Sequence, residues 1–345
     1  MKAIVLRGPG TASVLSMETV GDPAPGPLQV VVAVEHCGVC FHDVVVRQGT
    51  LKAGIAMPLI LGHEIAGRIA AVGREVRGIT VGDRVATTQR AHVCGQCRYC
   101  RGGREPLCAE AEFLGDAGLN GGYAEYVALD ADGVVAVPDK VDLRDASIAA
   151  CAIGTAYHAV VGVGRVGPGD RVLVTGSSGG VGLHAVQIAK AAGAVVLAAS
   201  TSPHRAAALR EAGADHLVIH ARGEDFSAEV RDLCGGVDVV IDTVGTPVFG
   251  PTRRSIDRGG RWVMVGQLTG EFVPFNPAQL FLKGIDMLSS TSVTREELRR
   301  CLQLLATGAV RAHVDATLPL AEAAEAHRRV EAGAPLGRIT LAPHA

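Results

Sequence analysis

The sequence predicts an α/β protein in two parts, a β-rich unit and a doubly wound parallel sheet. Three observations predict it. Up to about residue 154, short β-rich runs are separated by Gly and Pro. After that point strands alternate with helical stretches, the pattern of a parallel sheet covered on both faces. A length of 345 residues also suits about two domains.

Taken in order, Met1–Pro9 is apolar for only a few residues before charge and turn formers intervene, and it reads as a strand rather than a secretory segment. Leu28–Val34, Ile65–Val72, Asp83–Thr87 and Tyr123–Leu129 read as further strands, with Val81-Gly82-Asp83 as a turn feeding the third. Ala146–Gly164 carries no Asp, Glu, Lys or Arg. Its Gly, Ser, Thr and His content and few large aliphatics favour two buried helices over a membrane span. Next come strand Arg171–Thr175, helix Val181–Ala192, strand Val195–Ser200, helix Pro203–Ala212 and strand His216–Ile219. Helix Phe226–Leu233 and strands Val237–Asp242 and Arg261–Val265 follow. A helix at Glu296–Ala306 and a strand at Gly337–Leu341 return the tail to the first unit. The expected division is therefore 1–154 with 291–345, and 155–290.

Composition narrows the function. Lys and Arg number 33 against 35 Asp and Glu, a formal net charge of −2, which lacks the basic face that nucleic acid requires. A soluble cytoplasmic protein acting on a small molecule is expected, with no membrane partner. Nine cysteines are an odd number, and four are bunched between Cys94 and Cys108. Without a secretory segment, such bunching points to thiolate metal ligation rather than a disulfide framework. The spacing C-x2-C-x2-C-x7-C at Cys94, Cys97, Cys100 and Cys108 supplies four thiolates. These complete tetrahedral Zn²⁺ with no open position, so the loop 94–108 is predicted to hold a structural zinc.

Val172–Thr175 runs into Gly176-Ser177-Ser178-Gly179-Gly180-Val181-Gly182, a strand, a Gly-rich turn and a helix start. Glycines let the backbone approach a pyrophosphate, and free N–H groups at the helix terminus bind it. An Asp or Glu closing the next strand would select NAD(H) through the ribose 2′-OH; that position is Ser200. Thr201 and Arg205 follow, hydroxyl and cation suited to a 2′-phosphate, so NADP(H) is preferred over NAD(H). The other reading is a solvated Arg205 at a helix start with loose NAD binding.

A second constellation is scattered: Cys40 with Asp43, His63 with Glu64, and Cys151. None carries an assignment alone. Together with Cys37-Gly38-Val39-Cys40-Phe41-His42-Asp43, Leu61-Gly62-His63-Glu64-Ile65-Ala66-Gly67, the four-Cys loop, Gly121–Tyr126, Cys151–Thr155 and the Gly-rich turn, it resembles the zinc-containing medium-chain dehydrogenase/reductase superfamily, alcohol dehydrogenase type, over essentially the whole chain. The resemblance implies a GroES-like catalytic domain and a Rossmann nucleotide domain. It implies a catalytic zinc on Cys40, His63 and Cys151, with Glu64 ligating or waiting behind the metal and Asp43 orienting His63. That makes two zinc ions per subunit. It places Thr155 at the nicotinamide, Asp242, Val244 and Gly245 at the cofactor's edge with Val265 and Gly266 beside them, and Arg338 on the pyrophosphate. A homodimer or homotetramer is the family habit.

The implied activity is hydride transfer between NADP(H) and an alcohol or carbonyl compound, with Zn²⁺ as Lewis acid. The family's Ser or Thr before the motif Asp is replaced by His42, which can relay a proton or contact phosphate, and the downstream relay His falls near Val45. Thr175–Lys190 and Val240–Pro247 also resemble acryloyl-CoA-type reductases, so reduction of an activated C=C bond is the alternative. Phe41, Trp262 and Phe281 are candidate apolar walls. Cys37, Cys234 and Cys301 match no ligand position and read as small buried residues.

Overall fold

A computed structural model describes residues 1–50, 55–116, 119–267 and 269–344. Two compact units emerge. One comprises Met1–Gly154, Ser292–Gly308 and Ala312–Ala345; the other comprises Thr155–Thr291 and Ala309–Arg311.

The first unit is organised by one long strand, Gln29–Val39, rich in Val and buried at seven of its eleven residues. Along one side it pairs antiparallel with Glu64–Val72. Two register shifts, between Val31 and Val32 and between Val34 and His36, bulge that pairing, and such bulges bend a strand. Its other side is shared, Gln29–Ala33 meeting Tyr126–Asp130 and Cys37–Val39 meeting Arg338–Ala342. The C-terminal strand is thereby paired with a strand from the start of the chain. Its register sets Gly38 beside both Glu64 and Thr340, so one end of the sheet carries the residues of the candidate metal site. Ile4, Leu6, Val32, Ile65, Ile69, Leu129 and Leu341 form the core on which this sheet closes.

Three helices of this unit bear on function. Phe41–Gln48 and Ala323–Glu331 pack against each other. The first contains three β-branched valines that favour strands; its start is fixed instead by capping and its end by Gly49 at φ 72°. Arg295–Thr307 opens on a Thr294/Glu297 capping box and closes on Gly308 at φ 74°. It lays Leu298 and Leu302 against Ala146, Ala149 and Ala150. The charge-free stretch forms short helical pieces, Leu143–Ser147 and Gly154–Tyr157, with π-helical turns at Ala149–Ile153 and His158–Val163. Among the described residues, no helix is long and apolar enough to cross a membrane.

The second unit is a Rossmann sheet. Six parallel strands run in the spatial order His216–Ile219, Val195–Ser200, Arg171–Thr175, Val237–Asp242, Ile256–Met264, Asp286–Ser289. This is the 3-2-1-4-5-6 order that places nucleotide beyond the carboxyl ends of the central strands. Helix Gly180–Ala191 follows strand Arg171–Thr175 as expected. The stretch Pro203–Ala212 begins with a 3₁₀ turn at Pro203–Arg205 before helix Ala206–Glu211. Helix Phe249–Ser255 and strand Asp286–Ser289 lack strong patterning and escape a sequence reading. Trp262 is wholly buried in the core of this sheet against Phe249, so it is no pocket wall.

Candidate functional site

Cys40 is the N-cap of helix Phe41–Gln48. Its Sγ accepts the His42 backbone N–H at 3.5 Å, and Asp43 reaches back to accept the Cys40 N–H at 2.8 Å. This reciprocal cap aims the sulfur and fixes the carboxylate in one stroke. Asp43 Oδ1 lies 3.1 Å from His63 Nδ1, both fully buried. Glu64 begins the neighbouring strand, and Gly38 makes room for it: a Cβ on Gly38 would sit 2.3 Å from Glu64 Oε2. Cys151, on the π-helical turn Ala149–Ile153, completes the group.

One ligand atom from each of Cys40, His63, Glu64 and Cys151 lies within 4.8 Å of all the others. The two sulfurs are 3.8 Å apart, the separation of roughly 3.8 Å that two thiolates about 2.3 Å from a tetrahedral zinc require. The Asp43 carboxylate accepts the His63 Nδ1–H, which turns Nε2 inward, and that buried atom has no hydrogen-bond partner among the described residues. Two thiols, an imidazole nitrogen lacking a partner and a carboxylate form a donor set that fits zinc.

The electrostatics set the two thiols apart. A hydrogen bond from Cys151 holds the Cys40 thiol well below its ordinary value despite burial, with the Arg338 charge assisting. Cys151 is correspondingly pushed well up. Burial raises Glu64 in spite of Arg338 beside it. Arg338, expected on a pyrophosphate, is 7% exposed and engaged inside this cluster. Its Nη2 lies 2.8 Å from Glu64 Oε1, 3.4 Å from Cys40 Sγ and 3.5 Å from Cys151 Sγ. A buried cation here offsets the negative charge of thiolates and carboxylate.

Beside the cluster, His42 meets Asp116 at 3.2 Å. The Phe113 ring lies 5.1 Å from both His42 and His63, and the two imidazoles meet edge-to-face at 5.4 Å. Asp116 and Phe113 escape a sequence reading because they reach His42 from the far side of the four-Cys loop. Tyr123, within a motif already noted, and His327 and Arg47, with no local signal at all, pack behind Asp43.

The four-Cys loop also closes. The Cys94, Cys97, Cys100 and Cys108 sulfurs lie within 4.8 Å of one another, with pairs at 3.5 and 3.6 Å. Backbone N–H groups of Cys94 and Cys100 point at Cys108 and Cys97 sulfurs. The Cys100 N–H brings the Cys97 thiol down to about 7. The remaining cysteines differ: Cys37 and Cys301 are buried, whereas Cys234 is only partly so.

In the second unit the Gly-rich turn joins strand Arg171–Thr175 to the helix at Gly180. A Cβ on Gly182 would lie 2.2 Å from the Gly176 carbonyl, so only glycine lets the helix start this close to the turn. Gly180 opens the helix with Val181 next, and Gly179 caps it. The Ser177 hydroxyl donates to the Ala199 carbonyl at 2.9 Å and braces the turn. Ser178 and Ser200 hydroxyls meet at 3.2 Å, and Arg205 Nη1 is 3.5 Å from the Ser178 carbonyl and hydroxyl oxygens. Thr201 is exposed beyond Ser200 and Thr155 is buried. Asp242, expected at the cofactor's edge, turns its carboxylate into the fold. It accepts from Thr175 at 2.6 Å, from Trp262 Nε1 at 3.1 Å and from the N–H groups of Val244 and Gly245. Its carbonyl accepts from Val265 and Gly266. Asp242 thus shapes the loop that follows its strand.

Residues 26–139 match the alcohol dehydrogenase GroES-like domain, and residues 180–307 match the zinc-binding dehydrogenase family. The chain belongs to the medium-chain dehydrogenase/reductase superfamily. Among relatives of this oxidoreductase, acryloyl-coenzyme A reductase of Sulfurisphaera tokodaii is 33% identical over 99% of this chain and 100% of that protein. An alcohol dehydrogenase of Geobacillus stearothermophilus is 35% identical over 95% of this chain and 96% of its own. The crystal structure of AibC superposes with a TM-score of 0.93 at 44% identity, covering 99% of this chain and 95% of that one. An acryloyl-coenzyme A reductase and alcohol dehydrogenases thus both stand among this oxidoreductase's relatives.

Proposed function

We propose that this dehydrogenase is a zinc-dependent, NADP(H)-preferring alcohol dehydrogenase or aldehyde reductase with two zinc sites per chain. The observation that carries the reading is the buried His63 Nε2, without a hydrogen-bond partner among the described residues, gathered within 4.8 Å of ligand atoms of Cys40, Glu64 and Cys151. Cys40, His63 and Cys151 would hold the catalytic metal, with Glu64 as an alternate ligand; Cys94, Cys97, Cys100 and Cys108 would hold the structural one. When bound, zinc supplies Lewis acidity towards a substrate oxygen, and the nicotinamide supplies or takes hydride. Asp43 keeps the proton on His63 Nδ1. Arg338 balances the thiolates and holds Glu64, while Phe113 shields the imidazoles from water. His42 Nε2, with Asp116 behind it, is the group able to pass a proton in place of the hydroxyl other family members use.

Cofactor preference is supported by Ser200 closing the second strand without a carboxylate and by Arg205 beside Ser178. Thr155, Val244, Gly245, Val265 and Gly266 belong to the same proposed cofactor site. Assembly as a homodimer or homotetramer is supported by the exposed apolar Phe272, Phe281 and Leu282 of the second unit.

A second reading, reduction of a conjugated C=C bond, is favoured by the acryloyl-CoA reductase relative and by the His42–Asp116 pair, which could protonate an α-carbon. Crotonaldehyde offers both bonds, and the test is product identification with NADPH and NADH in parallel. Crotyl alcohol, formed faster with NADPH, is the expected result. Butyraldehyde would move the enzyme to the second reading, and equal rates with NADH would remove the NADP preference.

A further inference from the structure

Behind the candidate metal site runs a chain of buried polar groups that the proposed reaction does not use. Arg47 is fully buried. Its Nη1 and Nη2 pair with Glu331 at 3.2 and 2.6 Å, its Nε donates to the Gly10 carbonyl, and Nη1 also faces His327 Nδ1 at 3.4 Å. His327 Nε2 lies 3.1 Å from the Tyr123 hydroxyl, and that hydroxyl lies 3.3 Å from Asp43 Oδ2. Tyr123 and His327 are 0% exposed.

The direction of every link follows from its far end. A guanidinium only donates, so His327 Nδ1 must accept. In the neutral ring the proton then sits on Nε2 and is given to the Tyr123 oxygen, which leaves the phenol proton for Asp43 Oδ2. Burial supports the neutral ring, bringing His327 down to about 4, with Asp43 opposing and Arg47 reinforcing the shift. Asp43 Oδ2 takes the Cys40 N–H as well, and Oδ1 takes His63 Nδ1–H. Two helices are tied by the arrangement. Asp43 and Arg47 are one turn apart on Phe41–Gln48, and His327 and Glu331 are one turn apart on Ala323–Glu331.

We infer that Tyr123 and His327, backed by Arg47, are positioning residues that hold the Asp43 carboxylate, and through it His63, in the orientation that presents Nε2 to a metal ion. The inference rests on the proposed ligation by Cys40, His63 and Cys151. A carboxylate with the backbone N–H of Cys40 as its only other donor could rotate about its Cα–Cβ bond and carry the imidazole with it. The Tyr123 hydroxyl pins the second oxygen, and the His327 ring pins the hydroxyl.

The test measures zinc affinity of the intact enzyme by competition with a chromophoric chelator, and the visible spectrum of the cobalt-substituted protein. Wild type should hold two metals. Tyr123→Phe and His327→Leu should each weaken one metal site by about 10- to 100-fold, the range for losing a partner behind a ligand. They should alter the cobalt bands and leave the four-Cys site unchanged. His327→Gln should restore affinity to within about threefold, because a carboxamide oxygen can accept from Arg47 while its nitrogen donates to Tyr123. Unchanged affinity and spectrum in Tyr123→Phe would overturn the inference even should His327→Leu fail to fold. A Gln variant as weak as Leu would overturn it too. Wild type holding a single metal, on the four cysteines, would instead overturn the ligation reading, and the positioning role would go with it.

Discussion

The two cysteine clusters present similar soft donors in contrasting ways. Cys94, Cys97, Cys100 and Cys108 come from one short loop, three of them partly exposed, and their sulfurs are supported by the loop's own N–H groups. Cys40, His63, Glu64 and Cys151 come from a helix cap, a strand start and a π-helical turn. All are 8% exposed or less. A loop with little core can be closed by four thiolates alone. A buried mixed set needs more: Arg338 to offset its charge, Asp43 to fix an imidazole, and polar groups behind Asp43 to fix the carboxylate. The difference teaches that burial, and not ligand type, obliges a site to recruit support from distant parts of the chain.

The largest test of that contrast is ligand substitution. Cys40→Ser or His63→Ala should lower kcat by on the order of 10³-fold or more, the several kcal/mol expected of lost Lewis-acid assistance, while NADPH fluorescence still reports cofactor binding. Cys97→Ser should lower the melting temperature instead, with residual turnover at low temperature. Similar kinetic losses from both clusters would break the comparison. Next is Arg338→Ala, which removes the only cation drawn so close to Glu64 among the described contacts. Left uncompensated, the buried carboxylate should cost about 3–5 kcal/mol in denaturant unfolding. A loss below about 1 kcal/mol would mean that the cluster's charge is balanced elsewhere.

The smallest effect is acid sensitivity. His327 falls to about 4 in the folded chain against an ordinary 6.5. The unfolded state therefore binds the proton more readily, so this stabilisation is complete above about pH 6.5 and is lost as pH falls towards 4. Between pH 7 and 5 the loss should be about 2 kcal/mol. His327→Gln should flatten that part of the stability profile, measured by urea unfolding. An unchanged slope would show that the ring already titrates as it does in water.

Much of the fold was legible. Strands Arg171–Thr175, Val195–Ser200, His216–Ile219 and Val237–Asp242 lie where largely apolar runs put them, since a strand covered on both faces is mostly apolar. Helix Phe41–Gln48 was not named from the sequence, since Val44, Val45 and Val46 are β-branched and give no helical signal. The Cys40/Asp43 cap and packing against Ala323–Glu331 override that propensity. The strand Val314–Pro319 and helix Ala323–Glu331 were absent from the sequence reading, and that helix supplies the packing surface.

The sites divide along the same line. By itself the sequence determined the four-Cys loop and the Gly-rich turn, because each is a short-range device whose geometry follows from residue spacing and missing Cβ atoms. The ligand residues Cys40, His63 and Cys151 could be named from motifs, but only the tertiary structure gathers them. It also decided the fates of Arg338 and Asp242, drawn respectively to a buried carboxylate and to a Trp262 indole. Neither outcome has a local signature. A buried charge settles on whatever donor or acceptor the folded chain brings within about 3 Å, since leaving it unpaired costs more than any local preference returns.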